Sequence, residues 1–235
     1  MRISNFLAAA LILLISDYSY AAISLSSTRI IYNASQKEAS INVTNGSVRE
    51  TVIQTWLDMD GNNNQAPPFA VTPPLAKIKG NQRQLLRVLY QGVGLPEDRE
   101  SVFWLSVQEI PQLVEGENVL QLALMQRIKL FYRPNGLSGE QHLAPEKLKI
   151  KVTNNQLEIN NPTPYYINMV SLEKDSIVID GEMIAPMSRI YIPVRSFTAN
   201  GAFSFGIVND FGAVVNYIGE FDQGVASVLS LHNEK

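Results

Sequence analysis

The chain contains no cysteine. That single absence removes disulfides, thiol nucleophiles, dithiol redox motifs and thiolate metal sites together. Histidine is nearly as scarce: His142 and His232 are the only two, and neither stands in HExxH or another metal-ligand spacing. No P-loop and no GxGxxG between a strand and a helix is present. Gly136-Leu137-Ser138 opens like a nucleophile elbow, but Glu140 stands where the second glycine of GxSxG is required. No catalytic residue, metal or cofactor is therefore expected. A pair of carboxylates brought together by folding is the one constellation left open. Charge is sparse as well, at 17% of residues with a net charge of -3, which offers no general attraction to nucleic acid or an anionic membrane.

Only one long apolar run exists, and it lies at the start. Met1-Arg2 precedes the apolar stretch Phe6 to Ile15, which stops at Ser16-Asp17-Tyr18-Ser19. A spanning helix needs about 20 apolar residues, so the run has the length of a signal-peptide core instead. Ser19-Tyr20-Ala21 fits cleavage after Ala21. Residues 1–21 are expected to be a signal peptide, with an exported mature chain that inserts into no membrane.

What remains alternates with period two. Ala39, Ile41 and Val43 alternate with Ser40, Asn42 and Thr44, the pattern of a half-buried strand. Val52 to Leu57, Leu86 to Tyr90 and Val102 to Val107 are further short runs rich in β-branched and aromatic residues. Turn formers separate them, as at Asn45-Gly46-Ser47 and Asp60-Gly61-Asn62. No long segment carries a 3.6-residue apolar repeat, so the chain is expected to be all-β. Arg133-Pro134-Asn135-Gly136 opens a polar, turn-rich stretch reaching about Pro145, beyond which strands resume. Two immunoglobulin-like β-sandwiches over residues 22–134 and 146–235 are expected, joined by a hinge at 135–145. The Asn-x-Ser/Thr tripeptides starting at Asn33, Asn42 and Asn45 read as chance matches in polar segments. No internal repeat is visible in the residues.

One segment breaks the pattern. From Asn118 to Tyr132, Leu120, Leu122 and Leu124 alternate with Gln121, Ala123 and Met125, so both faces carry apolar groups. A strand with one solvated face is polar at every second position. Either this is a central core strand, or one apolar row is kept for a partner.

Asn118-Val119-Leu120-Gln121-Leu122-Ala123-Leu124 and Arg127-Ile128-Lys129-Leu130-Phe131-Tyr132-Arg133-Pro134 resemble the motifs of PapD-like chaperones of pilus assembly. Pro96-Glu97-Asp98-Arg99-Glu100-Ser101 leading to Gln108-Glu109-Ile110-Pro111, Ser27-Thr28-Arg29-Ile30, and Thr72-Pro73-Pro74 add to them. In the second half, Asn161-Pro162-Thr163-Pro164-Tyr165-Tyr166 and Asn209-Asp210-Phe211-Gly212 also match.

The resemblance implies a periplasmic chaperone, not an enzyme. Its partners would be pilin subunits, bound by lending them a β-strand, and an outer-membrane usher that receives them. It places a cleft between the two domains and assigns Arg29 and Lys129 there to the client's C-terminal carboxylate. Leu120, Leu122 and Leu124 would be the donor row, with Asn118 more peripheral, and Glu100, Arg133 and Asp210 an interdomain ion network. The short connection from Pro111 to Asn118 resembles the subclass serving rod-like pili. An apolar edge also invites self-pairing, so weak self-association of the free protein through Leu120 to Leu124 is expected. Leu120 and Lys129 are an odd number of residues apart, so a regular strand points them to opposite faces unless a bulge intervenes. The competing expectation is an exported pilus subunit or adhesin, but such a protein forms one sandwich behind a donor extension.

Overall fold

The computed structural model describes residues 23–59, 66–111, 122–153, 155–195 and 197–231. The expected signal peptide, Asn118, Leu120, His232 and the Pro111–Asn118 connection beyond Pro111 lie outside the described residues.

Among the described residues the first half contains nine strands: β1 (Ile23–Leu25), β2 (Arg29–Asn33), β3 (Ala39–Asn45), β4 (Thr51–Asp58), β5 (Phe69–Thr72), β6 (Leu75–Ile78), β7 (Arg83–Tyr90), β8 (Ser101–Ile110) and β9 (Met125–Arg133). They form one sheet in the order β1-β3-β7-β5 and a second in the order β2-β9-β8-β4-β6. The expected alternation is visible in burial: Ala39, Ile41 and Val43 of β3 face inward, opposite Ile53, Phe103, Leu105 and Leu130 from the other sheet. Tyr32, Phe69, Tyr90 and Tyr132 close one end as an aromatic cluster, with ring centroids 4.6 to 6.4 Å apart. The Thr72–Pro73 peptide is cis.

The stretch expected to be only a hinge is partly structured. Gln141–Lys147 form a short 3-10 helix, and its Ala144 belongs to the second core. Seven residues with a proline inside are too few to show a helical period in the sequence.

Nine further strands follow among the described residues: β10 (Lys149–Thr153), β11 (Gln156–Asn161), β12 (Ile167–Lys174), β13 (Ile177–Asp180), β14 (Met183–Ile184), β15 (Ser188–Pro193), β16 (Gly201–Val208), β17 (Val214–Asp222) and β18 (Val225–Leu231). Their ladders run β13-β12-β16-β17-β18-β10-β11-β15, with β14 on β12. A single pairing, Lys151 with Val225, joins β10 to β18. Ile150, Leu157 and Ile159 on one side and Met169, Phe203, Phe205 and Tyr217 on the other supply a second, separate core. Both halves are immunoglobulin-like sandwiches.

A correspondence between the halves is invisible in the sequence. Asn45 and Asn161 each end a strand, and both are fully buried. The Asn45 amide donates to the carbonyls of Arg49 and Ile78, while its oxygen accepts from the N–H and hydroxyl of Ser47. The Asn161 amide donates to the carbonyls of Tyr165 and Ala185, and its oxygen accepts from the N–H and hydroxyl of Thr163. Each asparagine thereby satisfies corner groups that burial would otherwise leave unpaired. The Asn45 sequon is thus a structural corner.

Candidate functional site

The β8–β9 ladder decides the geometry of the donor segment. Its register runs without a break from Ser101↔Tyr132 to Gln108↔Met125. The Glu109 N–H donates to the Leu124 carbonyl at 2.9 Å, extending the pairing by one residue beyond the strand. No bulge is present in this ladder. Leu130 and Tyr132 therefore point into the first core with Ile128 packed against it, while Lys129, Phe131 and Arg133 alternate to the other face. Leu122 and Leu124 share the parity of the core row. They continue that row past the end of the sandwich, where they are 69% and 52% exposed. Leu124 and Lys129 thus occupy opposite faces of one strand.

β2 runs parallel to β9, and its ladder begins at Arg29↔Lys129 and ends at Asn33↔Arg133. Paired residues on adjacent strands share a face, so the two expected carboxylate anchors lie side by side. Ile30 and Tyr32 turn into the core, which leaves Arg29 and Ile31 on the cleft side. The second sandwich meets them there. The Lys129 ammonium donates to the Asn168 side-chain oxygen on β12 at 2.5 Å, and Arg29 Nη1 donates to the Val208 carbonyl at 3.3 Å. Trp104 on β8 lies beneath both neighbouring cations, with Arg127 Cζ 4.3 Å and Lys129 Nζ 5.6 Å from its ring centre. Arg127 also pairs with Asp58. Burial pulls the Arg29 guanidinium below its ordinary value, and the charge of Asp210 partly offsets this.

Glu100, Arg133 and Asp210 come together across the interface. Arg133 Nε donates to Glu100 Oε1 at 2.7 Å, and its Nη1 and Nη2 donate to the two Asp210 oxygens at 2.8 and 3.1 Å. Glu100 is only 3% exposed, and its second oxygen accepts from the Tyr166 N–H at 2.8 Å. Burial raises the Glu100 pKa, opposed by the Arg133 charge and the Tyr166 hydrogen bond. For Arg133, burial favours the neutral form, but the hydrogen bonds and charges of Asp210 and Glu100 outweigh it and raise the pKa. The backbone joins in: the Glu100 N–H donates to the Pro164 carbonyl at 2.9 Å. Gly212 follows Asp210 and Phe211 in a turn with φ of +87°, so close to the residue preceding β2 that a Cβ there would lie 2.3 Å from Thr28 Oγ1. Only glycine fits that approach.

Sequence reasoning missed Asn168 and Trp104 as parts of the site. Trp104 stands in a strand of mostly apolar residues, and Asn168 sits in Ile167-Asn168-Met169, which reads as an ordinary alternating strand.

Comparison with known proteins matches this arrangement across both sandwiches. Residues 22–138 match the model of the pili and flagellar-assembly chaperone, PapD N-terminal domain, and residues 143–219 match the pili assembly chaperone PapD, C-terminal domain. This chain belongs to the PapD family of pilus-assembly chaperones. It is 38% identical over 228 residues to the chaperone protein FimB/FhaD of Bordetella pertussis, covering 90% of this chain and 93% of the relative. Among solved structures, the YadV chaperone superposes with a TM-score of 0.74 at 36% identity, over 86% of this chain and 100% of that one. A chain of the Salmonella enterica complex between the SafA pilin and the SafB chaperone superposes with a TM-score of 0.76 at 26% identity, over 91% of this chain and 99% of that one. The PapD family is one of chaperones and not of enzymes. No helix among the described residues is long and apolar enough to cross a membrane.

Proposed function

We propose that this PapD-family chaperone works in the periplasm, freed from its signal peptide by cleavage after Ala21. There it captures pilin subunits as they emerge, completes their fold with the segment leading into β9, and delivers them to an outer-membrane usher. The observation that carries this reading is the exposed leucine row. Leu122 and Leu124 extend a core-facing row beyond the core itself, offering on a strand the side chains an incomplete sandwich lacks. Leu120 and Asn118 would lengthen the row by the same alternation. An extended segment that adds a strand to an open sheet gains main-chain hydrogen bonds, while its alternate side chains fill pockets; donor-strand complementation of pilins by their chaperones is an established instance of this mode.

The ladder geometry also supports a direction for the client. β2 reaches no further along β9 than Arg29↔Lys129. A client strand laid ahead of β2 on the same edge ends where β2 begins, beside Arg29 and Lys129. For its terminal carboxylate to lie at that junction, the client's last strand runs parallel to β9. The two cations then set the register by charge-assisted hydrogen bonds, and the leucines on the opposite face supply most of the affinity. Glu100, Arg133 and Asp210 hold the sandwiches at the angle that keeps the junction in place. Binding and folding are one event, so no nucleotide is consumed.

A refolding experiment tests this. A denatured pilin from a neighbouring gene, diluted with one equivalent of the protein and no nucleotide, should remain soluble as a one-to-one complex. Aggregation equal to that of pilin alone would count against the chaperone reading.

A further inference from the structure

The pocket that Arg29 lines together with Glu100, Arg133, Asn168, Val208 and Asp210 has about 10 Å³, room for about one water. Arg29 and Lys129 already hold acceptors, so a carboxylate that binds both displaces something. The groups in its way come from the second sandwich: Asn168 on β12 accepts from Lys129 at 2.5 Å, and Val208 on the neighbouring strand β16 accepts from Arg29 Nη1 at 3.3 Å. Arg29 Nε is buried and has no hydrogen-bond acceptor among the described residues. An orphan donor of this kind is costly, and it marks a place where an acceptor belongs.

We propose that Asn168 is a positioning residue of the client anchor. Its amide oxygen holds the Lys129 ammonium until the client's terminal carboxylate takes its place, so that a neutral chain end gains nothing there. The inference rests on the reading that Arg29 and Lys129 receive that carboxylate.

Seating a client is then an exchange of acceptors. A carboxylate makes a stronger hydrogen bond to an ammonium than a neutral amide does, so it can take Lys129 from Asn168. An internal carbonyl or an amidated chain end offers nothing better than Asn168 already provides, and the exchange does not run. The competitor built into the second sandwich thus acts against the wrong ligand rather than for the right one. Trp104 steadies the transfer, because its ring face lies 5.6 Å from the ammonium and attracts it whichever acceptor Lys129 holds. Arg29 Nε gains the acceptor it lacks. Since Asn168 and Val208 lie on paired strands of one sandwich, the exchange also loosens the tie between sandwiches at the moment the client is seated.

The test uses the purified protein and two probes: a synthetic strand peptide of alternating valine and threonine with a free C-terminal carboxylate, and the same peptide amidated. The wild type should prefer the free acid by about tenfold or more. Asn168→Asp places a permanent carboxylate on Lys129, so the acid peptide should weaken by about tenfold while the amide peptide is unchanged. Asn168→Ala removes the competitor, so both peptides should bind more tightly. Thermal unfolding of both variants at the wild-type temperature separates this from misfolding, since a purely structural role does not change the acid-to-amide ratio. An unchanged preference in Asn168→Asp, or a weaker acid peptide with Asn168→Ala, overturns the proposal. Lys129→Ala is the control: if it keeps the preference for the acid, the anchor reading itself is wrong, and the role of Asn168 falls with it.

Discussion

Replacing Arg133 with alanine should destabilise the protein by about 3–5 kcal/mol and lower its melting temperature by on the order of 10 °C. Glu100 is the reason. Its carboxylate is 3% exposed and is held by Arg133 Nε and the Tyr166 N–H. Without the guanidinium it keeps one hydrogen bond and no counter-charge, while Asp210 loses both of its contacts to Arg133. Breaking a buried pair costs far more than the pair's net worth, because a charge remains behind in a poorly solvated place.

The pH dependence locates the effect. Burial already raises the Glu100 pKa above the ordinary value. The folded state therefore binds this proton more tightly than the unfolded state. Glu100's contribution to stability is fully present below its unfolded pKa and is lost as pH rises through the folded one. Removing Arg133 takes away an interaction that lowers that pKa, so it climbs further. The deficit of Arg133→Ala should be largest near neutral pH and shrink in mild acid, where Glu100 takes up its proton. Adding Glu100→Gln to Arg133→Ala should recover part of the loss at neutral pH. Equal deficits at both pH values, measured by chemical denaturation, would place the cost elsewhere.

The second large effect falls on the complex and spares the free protein. Leu122→Ser with Leu124→Ser should leave the unfolding free energy within about 0.5 kcal/mol, because both side chains are more than half exposed. The same pair of substitutions should weaken a pilin complex by about 3–6 kcal/mol, or roughly 10² to 10⁴ in Kd, because in the proposed complex the client buries each leucine. Competition between wild type and variant for one pilin measures the difference. A lowered melting temperature with unchanged pilin affinity would mean that the leucines serve the protein's own core and are not a donor row.

The contrast between these two sites bears on how legible the molecule was. The alternation of Ala39, Ile41 and Val43, and the runs that became β4, β7 and β8, follow from period two alone, because a sandwich with one wet face must alternate. The odd separation of the donor leucines from Lys129 left open whether a bulge intervenes, and the unbroken β8–β9 register answers it for Leu124, which lies on the face opposite Lys129. The meeting of Glu100, Arg133 and Asp210 was readable only through resemblance, since nothing local in three charges spread over two domains says that they touch. Asn168 was not readable at all. Its partner Lys129 lies 39 residues away on another sandwich, and an asparagine in an alternating strand looks solvated. The buried corners at Asn45 and Asn161 were hidden for a similar reason, because Asn-Gly-Ser and Asn-Pro-Thr read as exposed turns until burial shows otherwise.

The proposed mode of client capture rests, above all, on Arg29 and Lys129 anchoring a pilin by its chain end. The most direct measurement is the amount of soluble pilin that accumulates in the periplasm when the neighbouring pilin genes are co-expressed with wild type, Arg29→Ala or Lys129→Ala. Each variant is checked for a normal melting temperature. Pilin that co-purifies with the wild type and is degraded with both variants is the predicted result. Pilin that accumulates equally with all three would contradict the anchor.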